Sequence, residues 1–325
     1  MMRRREFIAL LGGMGLLPFA VRAQQAMPVI GLINGTSALK YEPQVAAFRE
    51  GLKQSGFVDG DNVTIEYRWA NGDYDRLPEL AADLVKRQVA VIVANTPANI
   101  AAKKATSTIP IVFTTASDPV QIGLVTNLNH PGGNVTGVTQ LNASLGPKRL
   151  ELAHELMPAA TDMALLVNPN DPGRAEKFVA EVHAAATHLG LQLHVLRAGT
   201  EADIEKALAA FHEFKASALV VGADAFYNAN SALLAEASLR NKVPTIYEYT
   251  EFTDAGGLMS YGGNIKESYR WAGIYAGRIL KGAKPADLPV QQSTTVELIV
   301  NLKTAKTLGI TVPLSLLGRA DKIIE

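Results

Sequence analysis

The chain has 325 residues, 31 lysines and arginines against 31 aspartates and glutamates, 48% hydrophobic residues and no cysteine. That length suits about two domains of the usual ~100–200 residues and is enough to bury a sizeable core. The lack of cysteine excludes a disulfide scaffold, cysteine-ligated zinc or iron–sulfur sites, a thiol nucleophile and lipid attachment through an N-terminal cysteine. The even charge argues against a nucleic-acid partner.

The N-terminus departs from this balance. Arg3, Arg4 and Arg5 precede an apolar run from Phe7 to Val21, and Val21-Arg22-Ala23 then supplies small residues at the −3 and −1 positions. This is the pattern of an export signal peptide cleaved after Ala23. The apolar run is interrupted by Gly12, Gly13, Gly15 and Pro18 and is shorter than the ~20 residues a spanning helix needs. Arg4-Arg5-Glu6-Phe7-Ile8 resembles the twin-arginine export motif, with Sec export as the alternative. Cleavage removes four arginines and one glutamate and leaves a mature chain of net charge −3. A periplasmic monomer without stable membrane insertion is expected.

After the leader the chain is written twice. In the first half an apolar run at Val29–Ile33 predicts a strand, and Val45, Phe48 and Leu52 recur at helical spacing over Glu42–Gln54 until Gly56. A strand over Val63–Tyr67, a helix over Arg76–Arg87, a strand over Val89–Val93, a further helix and a strand over Ile109–Phe113 follow. The second half repeats the order: strand Met163–Val167, helix Ala175–Leu189, strand Leu191–Leu196, helix Glu201–Phe214, strand Ala218–Val221, helix Ala232–Asn241 and strand Val243–Tyr247. Ser268–Leu280 predicts an amphipathic helix and Glu297–Val300 a strand.

Strands alternating with helices mean parallel βαβ units. The fold class is therefore α/β: two similar doubly wound parallel-sheet lobes joined by a multi-strand hinge. The expected division is residues 27–142 plus about 264–292 for the first lobe and 143–263 plus about 293–325 for the second. Ligands of such sheets bind outside the carboxyl ends of the strands, so a small molecule is expected in a cleft between the lobes.

The loops at those ends supply the candidate residues. Thr96-Pro97, Asp118-Pro119 and Asp171-Pro172 each place a capping residue before proline, and Gln121 completes a capping box after Asp118. Capping alone accounts for Asp118 and Asp171, and helix N-termini aimed into a cleft also suit a carboxylate. Thr36, Ser37 and Thr96 add hydroxyls, while the central parts of these loops hold no arginine, so a guanidinium clamp is not expected. Asp224 is placed to meet a ligand ammonium. Tyr247 and Tyr249 offer aromatic faces, and Glu248 a second carboxylate. No nucleophile elbow, zinc-protease motif, Walker loop or dinucleotide fingerprint occurs. Neither a metal, a cofactor nor a catalytic residue is expected.

Ser117-Asp118-Pro119-Val120, the run His130 to Val138, the run Ile279 to Val290 with Lys281-Gly282-Ala283-Lys284-Pro285-Ala286-Asp287, and Asn301 to Ile310 together resemble the solute-binding proteins of ABC transporters, of the tryptophan- and tyrosine-binding type. The resemblance runs from about Val29 to Ile324 and implies a type I periplasmic-binding fold, no catalysis, hinge closure on a small ligand and delivery to an inner-membrane ABC permease. It places the ligand loops on Thr36-Ser37, Thr96-Pro97, Ser117-Asp118, Asn168-Pro169-Asn170, Asp224 and Tyr247. Two other readings stay open from the residues alone. One is an exported racemase or isomerase using Asp224 with Tyr247 or Glu248. The other is a ligand sensor for a signalling receptor.

Overall fold

The computed structural model describes residues 27–293 and 295–325. The expected export signal over residues 1–23 lies outside the described residues.

The first part of the chain runs β1 (Val29–Asn34), α1 (Glu42–Gln54), β2 (Thr64–Trp69), α2 (Leu77–Lys86), β3 (Val91–Asn95), α3 (Ala98–Ala105), β4 (Ile111–Thr115) and β5 (Val135–Thr139). The second runs α4 (Gly146–Leu156), β6 (Asp162–Val167), α5 (Pro172–His188), β7 (Gln192–Arg197), α6 (Glu201–Phe211), β8 (Leu219–Val221), α7 (Ala225–Ala229), α8 (Ser231–Arg240), β9 (Thr245–Tyr247), α9 (Thr250–Asp254) and β10 (Met259–Gly262). Then come α10 (Ile265–Leu280), β11 (Gln291–Gln292), β12 (Glu297–Asn301), α11 (Leu302–Thr307), α12 (Leu314–Leu317) and β13 (Lys322–Ile324).

The strands form two sheets, in the orders β11-β5-β4-β3-β1-β2 and β13-β12-β10-β9-β8-β6-β7. The core of the first, β2-β1-β3-β4-β5, is repeated in the second as β7-β6-β8-β9-β10, so the sequence repeat is a topological repeat. Strands β3, β4, β6 and β8 are buried nearly throughout, which is why they are continuous apolar runs rather than alternating ones. The doubly wound α/β class is thus present, with one departure. β12 pairs antiparallel with β10, because it reaches the second sheet directly from β11 and not through a helical crossover.

The capping expectations divide. Asp171 caps α5, its side chain accepting from Arg174 N. Asp118 caps no helix: its Oδ1 accepts from Val120 N at 2.8 Å and Gln121 N at 3.3 Å, and the chain turns away at Gly123, whose φ is 72°. The Thr96–Pro97 peptide is cis, and the Thr96 hydroxyl bonds the Thr115 hydroxyl at 2.9 Å instead of capping α3. The glycine-rich run expected as a connector also supplies a strand. Gly132 and Gly133 turn at φ 72° and 61°, whereas Gly137 lies inside β5, where a Cβ would stand 2.2 Å from Phe113 O.

The chain passes between the sheets three times: after β5, after β10 and after β11. Across the second passage α10 packs on α1, two helices brought into close contact at Gly51 and Gly273. The passages are tied together. Asn142 Oδ1 accepts from Gly263 N at 2.9 Å, and the fully buried Arg149 donates from Nε to Tyr261 O at 2.9 Å and from Nη2 to Asn142 O at 2.6 Å.

Candidate functional site

In each sheet the strand order reverses beside the first strand of the lobe, with an asparagine at that strand's end (Asn34) or just past it (Asn168). Asn34 Oδ1 accepts from Thr36 N at 2.9 Å, and Asn168 Oδ1 accepts from Asn170 N at 3.0 Å. These Asx turns swing the chain aside and leave open the crevice where doubly wound sheets hold ligands. The two crevices face one another across a narrow cavity of about 40 Å³, at a domain interface of the kind where small-molecule sites are commonly found. Asn95, Thr96 and Thr115 line it from the first sheet, Arg174, Asp224 and Glu248 from the second, and Ile265 and Tyr269 from α10.

Asp224 is saturated by protein. Its Oδ1 accepts from Asn168 Nδ2 and Phe226 N, both at 2.8 Å, and from the Tyr74 hydroxyl of the opposite lobe at 3.2 Å; its Oδ2 pairs with Arg174 Nη2. Arg174 also bonds Asp171 through Nε at 3.1 Å. Burial works against the Arg174 charge, but Asp224 and Asp171 more than offset it, so its pKa lies above the ordinary value. Burial, then the Asp224 charge, pushes the Tyr74 hydroxyl up.

Glu248 is the opposite case. It is 1% exposed, and neither carboxylate oxygen has a hydrogen-bond partner among the described residues. Burial pushes its carboxyl up to about 7 against the pull of Arg149. Asn95 Nδ2, Asn228 Oδ1 and the Tyr269 hydroxyl, which also line the cavity, are likewise unpaired among the described residues. Unpaired buried polar groups cost about 1–3 kcal/mol each, and their concentration at one cavity marks it as built to receive polar atoms.

The residues singled out from sequence divide among three places. Thr96, Asp224 and Glu248 line the central cavity, and Asn168 holds Asp224 from behind. Thr36, Ser37 and Asn170 line a neighbouring opening, where Lys40 reaches across to Asn230 at 2.5 Å and to Glu201. Ser117 and Asp118 line the opening on the other side, near Lys177, which bonds Gln121 across the cleft at 2.6 Å. Pro97 immediately precedes α3 and lines none of these cavities. Tyr247 is fully buried and stacks on Phe252 at 4.6 Å in the core, since successive strand residues face opposite ways and Glu248 takes the cavity side.

The expectation of no guanidinium in the cleft is corrected by Arg174, which projects from the first turn of α5 into the cavity. Its place in a helical turn hid it, although Asp171 three residues earlier is a signal for such a pair. Tyr41, Gln140 and Tyr269 also line the site; the first two lie outside every element expected from sequence, and Tyr269 was expected only as part of the helix Ser268–Leu280.

The chain matches the ABC transporter substrate binding protein family over residues 28–324. It is 28% identical over 279 residues to a tyrosine-binding protein from Clostridioides difficile (strain R20291), covering 84% of this chain and 80% of that one. A solved structure of an ABC domain from Streptococcus pneumonia in complex with L-Trp superposes with a TM-score of 0.77 at 27% identity, over 91% of this chain and 99% of that one. The ligand-free, open structure of a substrate binding protein from Clostridium difficile gives 0.61 at 25% identity, with the same coverages. Tyr74, Lys40 and Lys177 each bond a residue on the other side of the cleft. By this match over almost its whole length, the chain belongs to the ABC transporter substrate binding protein family.

Proposed function

We propose that this chain is the exported solute-binding component of an ABC importer, and that it takes an amino-acid-like ligand in the cavity between its lobes. The observation that carries the proposal is the cavity itself, placed where two crevices meet and lined by buried polar groups without protein partners. The tyrosine-binding relative and the L-Trp complex point to an amino acid. Residues 27–142 with 264–292 and residues 143–263 with 293–325 act as two bodies swinging about the three passages. Ligand held by one lobe completes its contacts with the other and shifts the open–closed equilibrium, and the closed monomer docks on an inner-membrane permease. Asp224 and Thr96 form the floor of the site. Thr36, Ser37, Asn168, Asn170, Ser117 and Asp118 shape its walls and openings. Residues 1–23 direct the chain to the periplasm.

The test is native mass spectrometry of the purified mature protein, together with thermal-shift screening against the twenty amino acids, carboxylates and sugars. A saturable shift with the ligand recovered unchanged is expected. Conversion of the ligand, followed by NMR, overturns the reading in favour of an enzyme.

A further inference from the structure

Two carboxylates border the central cavity, and they are not equivalent. Asp224 has three donors on one oxygen and Arg174 on the other, so its charge is already paired and most of its acceptor capacity is used. Glu248 makes no well-formed hydrogen bond on either oxygen among the described residues, with only the Asn228 side chain near it, is 1% exposed, and lines the same cavity. A buried carboxylate left like this is costly unless something pairs with it. Among the described residues, the cations that act on it are already engaged, Arg149 with the carbonyls of Tyr261 and Asn142 and Arg174 with Asp171 and Asp224. A cationic hydrogen-bond donor entering from the cavity would pair with its ionised form.

The opposite wall has the complementary lack. Asn95 Oδ1 accepts from Gly35 N, which turns its Nδ2 away without a partner. Arg174 uses Nε and Nη2 on Asp171 and Asp224, and its third nitrogen makes no hydrogen bond among the described residues. These are donors waiting for an acceptor. An acceptor on one wall and donors on the other suit a ligand that carries both an ammonium and a carboxylate.

We propose that Glu248, and not Asp224, recognises the ligand's amine, and that Asn95 and Arg174 take its carboxylate, so that the site selects free zwitterionic amino acids over amines or acids of the same shape. This rests on the solute-binding reading above and names the chemical class within it.

The experiment is calorimetric titration of the mature protein with L-tyrosine, tyramine and 3-(4-hydroxyphenyl)propanoate, repeated with L-tryptophan, tryptamine and indole-3-propanoate. Wild type should bind at least one of the amino acids, and about 50-fold or more tighter than either of its truncated analogues, the scale of rejection when a site's polar groups are left unpaired. Glu248→Gln, close in shape, should lose about 30-fold or more for that amino acid and less than about threefold for its acid analogue, which also shows that the variant is folded. An unchanged amino-acid affinity in Glu248→Gln, or an acid analogue that binds wild type as tightly, overturns the proposal. Failure of both amino acids to bind also overturns it. In that case a solute without an amine, recovered by native mass spectrometry, leaves the solute-binding reading standing, and recovery of a converted product removes both.

Discussion

The Tyr74 hydroxyl of one lobe donates to Asp224 Oδ1 of the other at 3.2 Å, on the same oxygen that Asn168 and Phe226 N hold from within the second lobe. Asp224 is therefore a fixed acceptor, held by its own lobe through Asn168 and Phe226 N and joined across the cleft by Tyr74. Tyr74→Phe removes one cross-cleft hydrogen bond while keeping the ring. At about 0.5–1.5 kcal/mol for such a bond, the dissociation constant should rise about 3- to 10-fold, mostly through faster release. Stopped-flow fluorescence with the ligand found by screening measures this, and an unchanged release rate would remove Tyr74 from the closing step.

Glu248 makes the ligand-free protein sensitive to pH. An ordinary glutamate in the unfolded chain gives up its proton near 4.5, and in the folded state Glu248 keeps it up to about 7. Between these values the folded state holds more protons, so stability falls as pH rises through the window, by up to ~3 kcal/mol. The groups that face it are Arg149, Arg174, Asp224, Asn228, Tyr249 and Tyr41. Urea unfolding at pH 5 and pH 7.5 should show this loss in wild type, and Glu248→Gln should flatten it. An equal slope in the variant would assign the dependence to other groups.

Arg149 joins that carboxylate to the passages between the lobes. Arg149→Met abandons the carbonyls of Asn142 and Tyr261 and leaves Glu248 without its opposing charge. Breaking a buried charge arrangement on one side costs about 3–5 kcal/mol. The loss should be smaller when Glu248→Gln is already present, and a double-mutant cycle on unfolding free energies measures the coupling. Strict additivity would show that the two residues act independently.

The contact between α1 and α10 tests the packing. A Cβ on Gly51 would stand 1.8 Å from Arg270 O, and one on Gly273 would stand 2.1 Å from Phe48 O. Alanine in a helix gains about 1 kcal/mol over glycine, but here the clash is with backbone and cannot be relieved by a rotamer change. Overpacking of this kind costs about 1–3 kcal/mol, so Gly51→Ala should lower the thermal midpoint despite its better helix propensity. A raised midpoint would mean that the two helices separate easily.

Much of the architecture was legible because its signals are local. The stretch Glu42–Gln54 has its apolar spacing and its glycine stop, and the helix occupies those residues. The second lobe repeats the first closely enough that topology follows from element order. Asp118 misled because a capping box describes only the start of a helix, and Gly123 ends the turn before one forms. In the site, Asp224 and Glu248 were visible as carboxylates at strand ends. That Asp224 is saturated and Glu248 unpaired depends on Asn168, Arg174 and Tyr74, which are brought together from two lobes and cannot be paired by inspection of the sequence. Tyr247 was misplaced for a simpler reason, since strand alternation permits only one of Tyr247 and Glu248 on the cavity side.

The packing of α10 on α1 also sets an order of events. Ser55 Oγ, just past the end of α1, bonds Ile274 O across 219 residues of sequence. On a ribosome, the lobe whose strands emerge first must therefore wait, with the apolar face of α1 uncovered, until nearly the whole chain has been synthesised. Contacts of such high sequence separation form late, and a truncation after β10 should leave the first lobe more aggregation-prone than the full chain.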